Sequence, residues 1–145
     1  MRDPRQIDRL LDQYSESHRN HTNELIHLVC VPLIVFSLLG LIWWIHPLAA
    51  VAASGAALAY YFQLSKPFAL GMLAMSLVML GLLYAMPPLT VLPLSISIFV
   101  LAWIGQFIGH QIEGKKPSFF DDLRFLLIGP LFVLGFLYRR LRVAY

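Results

Sequence analysis

Four of the chain's five histidines fall in two short clusters, and those clusters hold the chemistry this sequence could perform. The first runs His18-Arg19-Asn20-His21-Thr22-Asn23-Glu24-Leu25-Ile26-His27. The second runs from Trp103 through Gln106, Phe107 and Gly109 to His110 and Glu113. Neutral imidazoles beside a carboxylate suit a divalent transition metal. Two histidines and one carboxylate with open positions suit non-haem Fe(II) and O₂ chemistry. The candidate ligands are His18, His21, His27 and His110, with Glu113 as a further ligand or an acid–base group. Asn20, Asn23 and Gln106 are candidates for orienting the imidazoles, or for satisfying helix ends and one another.

Spacing sorts these residues onto faces. Gln106, His110 and Glu113 stand at i, i+4 and i+7, one stripe of a helix. Asn20, Asn23 and His27 stand at i, i+3 and i+7, and His18 and His21 are also close enough to share a face. His18 and His27 are nine positions apart, about half a turn out of phase on one unbroken helix. For both to serve one ligand the chain must bend between them, and Asn20 is a candidate N-cap for a helix that starts there.

The elements that position the clusters follow from charge and hydropathy. Nineteen of 145 residues are charged, 13% against roughly 25% in soluble proteins. Mean hydropathy is +0.70. Residues 25–65 and 67–112 carry no formal charge. This excludes a soluble enzyme, a nucleic-acid binder and a disordered chain; the net charge of +3 reflects loop and tail cations rather than a phosphate-binding patch. The fold class expected is all-α, a polytopic membrane helical bundle forming a single domain over 1–145. Four spans are expected at 28–45, 48–64, 68–86 and 89–109, each near the ~20 residues that cross ~30 Å of hydrocarbon. Residues 1–24 read as an amphipathic helix with Asp3 as N-cap, Pro4 at its first position and an apolar stripe of Ile7, Leu10, Leu11 and Tyr14. Such a helix lies on a membrane surface or packs on the protein's own loops. A fifth apolar segment, 125–138, is short for a span and contains Gly129-Pro130, a helix breaker.

The first and third turns lack Lys and Arg, whereas Lys66, Lys115, Lys116 and Arg124 mark the other face as cytoplasmic. Four histidines then lie near the cytoplasmic face. His46 lies at the opposite end as a turn residue in water, and Trp43, Trp44, Tyr60 and Tyr61 read as interfacial belt. Cys30 is the single cysteine, which excludes an internal disulfide and CxxC metal sites and leaves it a packing role. The first 24 residues lack the apolar core of a cleavable signal peptide.

The clusters also carry a family pattern. His18, Asn20, Asn23, His27 and Val31-Pro32 open the chain. Trp103, Ile104, Gln106, Phe107, Gly109 and His110 follow much later, then Glu113, Lys115, Lys116, Pro117 and Asp121. Over about residues 14–138 the sequence resembles the 2-hydroxy-fatty-acid dioxygenase family, small polytopic membrane proteins whose fungal members act in phytosphingosine breakdown in the endoplasmic reticulum membrane. The resemblance implies Fe(II)-dependent α-oxidation, in which a 2-hydroxy fatty acid and O₂ give a fatty acid one carbon shorter. It implies His18, His27 and His110 as ligands, His21 or Glu113 as a fourth, and Asp121 among the supporting residues. The expected partners are the lipid substrate and membrane lipids, in a bacterial inner membrane or the endoplasmic reticulum. The rival readings are a metal-dependent lipid hydrolase with Glu113 as general base, and a small transporter or structural membrane protein.

Overall fold

Six helices and no strands make up the described residues, 5–114 and 125–145, of a computed structural model. They are α1 (Gln6–Ser15), α2 (His21–Ile45), α3 (Pro47–Leu64), α4 (Lys66–Ala85), α5 (Pro88–Glu113) and α6 (Ile128–Leu141). Asp3, Pro4, Lys115, Lys116, Pro117, Asp121 and Arg124 lie outside the described residues.

Four of the helices, α2 to α5, are long and apolar enough to cross a membrane, which makes this an integral membrane protein. Their boundaries have local causes. Pro47, Pro67 and Pro88 sit in the first turn of α3, α4 and α5, where a missing N–H leaves no bond unmade. His46 caps α3 by accepting the Leu48 N–H at 3.1 Å. Gly114 ends α5 in the left-handed region at φ 79°, a conformation that glycine adopts without the Cβ penalty.

The main pairing is α2 with α5, antiparallel, with Asn23 beside Gly109, Cys30 beside Gly105 and Gly40 beside Ser95. Small residues set that distance, as is usual where lipid removes the hydrophobic drive between helices. A Cβ on Gly109 would collide with the Asn23 side chain, and one on Gly40 with Ser95 at the other end of the pair. Ile34, Ala102 and Trp103 fill the middle.

The N-terminal stretch is not one helix. It breaks after Ser15, and α2 begins at His21 with the Asn20 carboxamide accepting the Thr22 and Asn23 N–H groups at 2.9 and 3.4 Å. The expected stripe on α1 is present, with Ile7, Leu11 and Tyr14 buried. It packs against α6, in one core cluster with Ile128, Leu131 and Phe132, and Tyr14 also meets Phe125 in the turn before that helix. Pro130 does not break α6. It falls in the first turn, where the backbone N–H has no helical partner to lose. At 14 residues, about 21 Å, α6 is short of the ~30 Å core. It is tied to residues on both sides of the α3–α4 turn: Tyr61 donates its hydroxyl to the Leu127 carbonyl at 2.8 Å, and Tyr138 donates to Pro67 at 2.6 Å. α6 therefore docks at the end of the bundle that also carries α1 and the start of α2.

Candidate metal centre

The break at 16–20 decides which histidines meet. His18 lies in the corner between α1 and α2, His27 two turns into α2, and His110 in the last turn of α5. All three are buried, at 7%, 0% and 5% relative exposure. Their ring centroids are 4.2 Å (His18–His27), 5.1 Å (His27–His110) and 5.9 Å (His18–His110) apart. Rings that share one ion through nitrogens about 2.1 Å from it have centroids on the order of 5 Å apart.

The hydrogen bonds assign protons on two of the rings. His18 Nδ1 lies 2.7 Å from the Tyr14 carbonyl, and His27 Nδ1 lies 3.0 Å from the Asn23 carbonyl. A carbonyl oxygen only accepts, so Nδ1 carries the proton in each ring and Nε2 carries the lone pair. This is the arrangement by which proteins aim an imidazole at a metal. Both Nε2 atoms and His110 Nδ1 are buried from solvent. Tyr14 stacks on His18 with centroids 4.2 Å apart and planes 7° from parallel, and Phe132 lies 5.6 Å from the same ring. These aromatic walls hold the ring in place.

The donor set fits a divalent transition ion in its chemistry: three imidazoles, shielded from water and gathered from three parts of the chain. It is a cluster rather than a finished cage. Among the described residues, no three His, Cys, Asp or Glu side chains are arranged to hold one ion as they stand.

Glu113 and Asn23 hold the corner together. Glu113 Oε1 accepts the Arg19 N–H at 3.0 Å, while Oε2 accepts the Asn20 N–H at 2.8 Å and the Asn23 Nδ2 amide at 3.1 Å. Asn23, fully buried, also donates to the Ser17 carbonyl at 3.1 Å. The end of α5 thus grips the residues on both sides of Asn20, and with them the segment that carries His18. Three N–H donors match the acceptor-only character of an ionised carboxylate.

His21 is not brought to the cluster. Its side chain is 77% exposed, and its Nδ1 stands 3.6 Å from Glu24. His18 and His21 part company because His18 precedes the cap and His21 follows it. Gln106 is buried one turn before His110 and lines a narrow cleft of about 20 Å³ with Tyr14, Val31, Ile34, Trp103 and Gly129. Asn20 serves as the helix cap. Asp121 lies outside the described residues. Sequence reasoning placed Tyr14 only in an apolar stripe and did not see Phe132. The signal available for Tyr14 was its position four residues before His18, which puts its carbonyl within reach of that ring.

The sequence profile of one family matches residues 5–141, nearly the whole chain. No curated protein and no solved structure matches it. With both histidine clusters inside the matched region, the chain belongs to the Mpo1-like family, described as 2-hydroxy-palmitic acid dioxygenase Mpo1-like.

Proposed function

We propose that this protein is an Fe(II)-dependent membrane dioxygenase that α-oxidises 2-hydroxy fatty acids. The reaction balances as R–CH(OH)–COOH plus O₂ giving R–COOH, CO₂ and H₂O. The C1–C2 bond breaks, the two carbons are oxidised, and one O₂ takes up the four electrons. The observation that carries this reading is the convergence of three buried imidazoles, two of them with Nδ1 held by backbone carbonyls, in a chain of this family.

His18, His27 and His110 would hold the iron, which when bound supplies the redox chemistry that O₂ needs to react with a closed-shell acid. The chain's own residues do the rest. The Tyr14 and Asn23 carbonyls hold the proton on Nδ1 and so place the lone pair of His18 and His27 on Nε2. Tyr14 and Phe132 exclude water from the His18 side. Gln106 offers a neutral amide to a cleft that Tyr14 and Trp103 also line, suited to a hydroxyl or carboxylate head. Glu113 keeps the α1–α2 corner closed. A hydrolase would need Glu113 as general base, but both oxygens are already committed to N–H donors. By the distribution of Lys and Arg the site faces the cytoplasm.

The test is direct. Protein purified in nanodiscs, supplied with Fe(II), should consume O₂ with 2-hydroxypalmitic acid and release a fifteen-carbon acid detectable by mass spectrometry. Equal turnover without O₂ would overturn the oxygenase reading.

A further inference from the structure

Two cavities lie below the histidines, one reaching toward them and one deeper in the bundle, and they meet at one residue, Leu126. On α2, Val31, Ile34, Val35, Leu38 and Ile42 stand at i+4, i+7, i+8, i+11 and i+15 from His27, all on its face of the helix. On α5, Gln106 and Trp103 lie one and two turns inward from His110. The first cavity is the cleft that begins at Tyr14, the residue stacked on His18, and at Gln106. The second is a chamber of about 180 Å³ between α2, α3 and α4, roofed by the start of α6. Leu126 lines both cavities. Past Gln106 the lining is almost wholly apolar, and Ser54 spends its hydroxyl on the Ala50 carbonyl of its own helix at 2.9 Å.

Length identifies the occupant. From His27 to Ile42 is fifteen residues, about 22 Å along α2. That exceeds half of the ~30 Å hydrocarbon core, so an acyl chain lying along this whole face would be long enough to fill one leaflet. A second apolar groove, about 530 Å³, runs along Pro32, Leu33 and Phe36 with Val78 and Leu82 of α4. It lies on the face of α2 opposite His27; Leu33, Val78 and Leu82 are exposed there, as Ala53 and Leu127 are at the rim of the chamber. That groove suits bilayer lipid and leads away from the histidines.

We propose that the cleft and chamber form the acyl-chain site of a single-chain fatty acid. Its polar head lies by Gln106 and the histidines, Leu126 sits at the junction, and the methyl end lies between Ile42 and Ala53. Ala53 and Ala57 on α3 then set the chain length the protein accepts, because their small side chains leave the far part of the chamber open. This deepens the dioxygenase reading and rests on it for the identity of the head group.

The experiment uses full-length protein in nanodiscs and a 2-hydroxypalmitic acid analogue with a diazirine on its terminal carbon. Photolysis should label peptides holding Leu38–Ile42 and Ala53–Ala57. Label confined to Leu33, Phe36 or Val78 would overturn the proposal. The parallel readout is chain-length preference. Ala53→Phe should lower turnover of the sixteen-carbon acid roughly tenfold relative to a ten-carbon acid, while Val78→Phe leaves the ratio unchanged. An unchanged ratio in folded Ala53→Phe also counts against the chamber. Chamber labelling without O₂ consumption would sink the dioxygenase reading alone, whereas chain shortening with label in the other groove would sink the chamber alone. Labelling needs no turnover and uses the unsubstituted protein, so it decides the question even if Ala53→Phe fails to fold.

Discussion

The two ends of the bundle each present histidine, and they use it in opposite ways. At one end His18 and His27 donate through Nδ1 to backbone carbonyls, which leaves the lone pair on Nε2. At the other end His46 accepts the Leu48 N–H at Nδ1, which puts its proton on Nε2. The first two rings are buried beside a third, and His46 is exposed in a turn. The same side chain is thus prepared as a ligand where a carbonyl faces it, and as a helix cap where an N–H faces it. Proximity to an apolar segment does not separate the two roles; the partner of Nδ1 does.

The sharpest way to break this contrast is to remove one ring at each end. His27→Ala and His110→Ala should each lose stoichiometric iron and essentially all O₂ uptake, and His18→Ala likewise. His46→Ala and the exposed His21→Ala should keep both. Elemental analysis and O₂-electrode traces on folded protein decide it. Retained iron in the three buried-ring variants, or lost iron in His46→Ala, would end the distinction between the two ends.

A smaller effect should come from the grip of α5 on the corner. Glu113→Ala removes the acceptor for three N–H groups. We expect iron affinity to fall roughly 10–100-fold, the range for groups that orient ligands. Glu113→Gln retains an oxygen for some of those donors and should fall between the two. A metal titration measures both; loss as complete as in His27→Ala would make Glu113 a ligand instead.

Below that comes packing. Gly109→Ala must push its Cβ into Asn23 and to 3.3 Å from His27 Cε1. Overpacking of this kind costs about 1–3 kcal/mol, and it should weaken metal binding as well, because the displaced residues are those of the site. Gly55→Ala meets nothing within 4 Å and serves as the control. Thermal unfolding in detergent, with and without Fe(II), separates the two effects. The smallest change is expected for His46→Ala, whose lost cap should cost about 1 kcal/mol and leave the iron-dependent part of the stability intact.

Much of this architecture was legible along the chain. The charge-free stretches 25–65 and 67–112 mark two helical hairpins, and the four long helices fall on them. Asn20 was legible as a cap because a carboxamide that accepts N–H groups two and three residues later is a local device. The reading of 1–24 as one helix failed beside that same signal, since an amphipathic stripe does not show where a helix must stop. Pro130 was misread for a related reason. A proline breaks a helix interior but not its first turn, and only the position of the helix start distinguishes them.

The sequence by itself determined that this is a helical membrane protein, where its chain turns, and which two short stretches hold its histidines. Hydropathy, charge and capping act over one or a few turns, so they can be read residue by residue. Only the tertiary structure decided that His18 turns inward while His21 stays in water, that Glu113 binds backbone across the α2–α5 pair, and that two cavities below the histidines meet at Leu126. Those outcomes depend on how closely α2 and α5 approach at Gly109 and on where α1 and α6 dock. Contacts between residues some ninety positions apart have no local signature; packing of the whole bundle creates them.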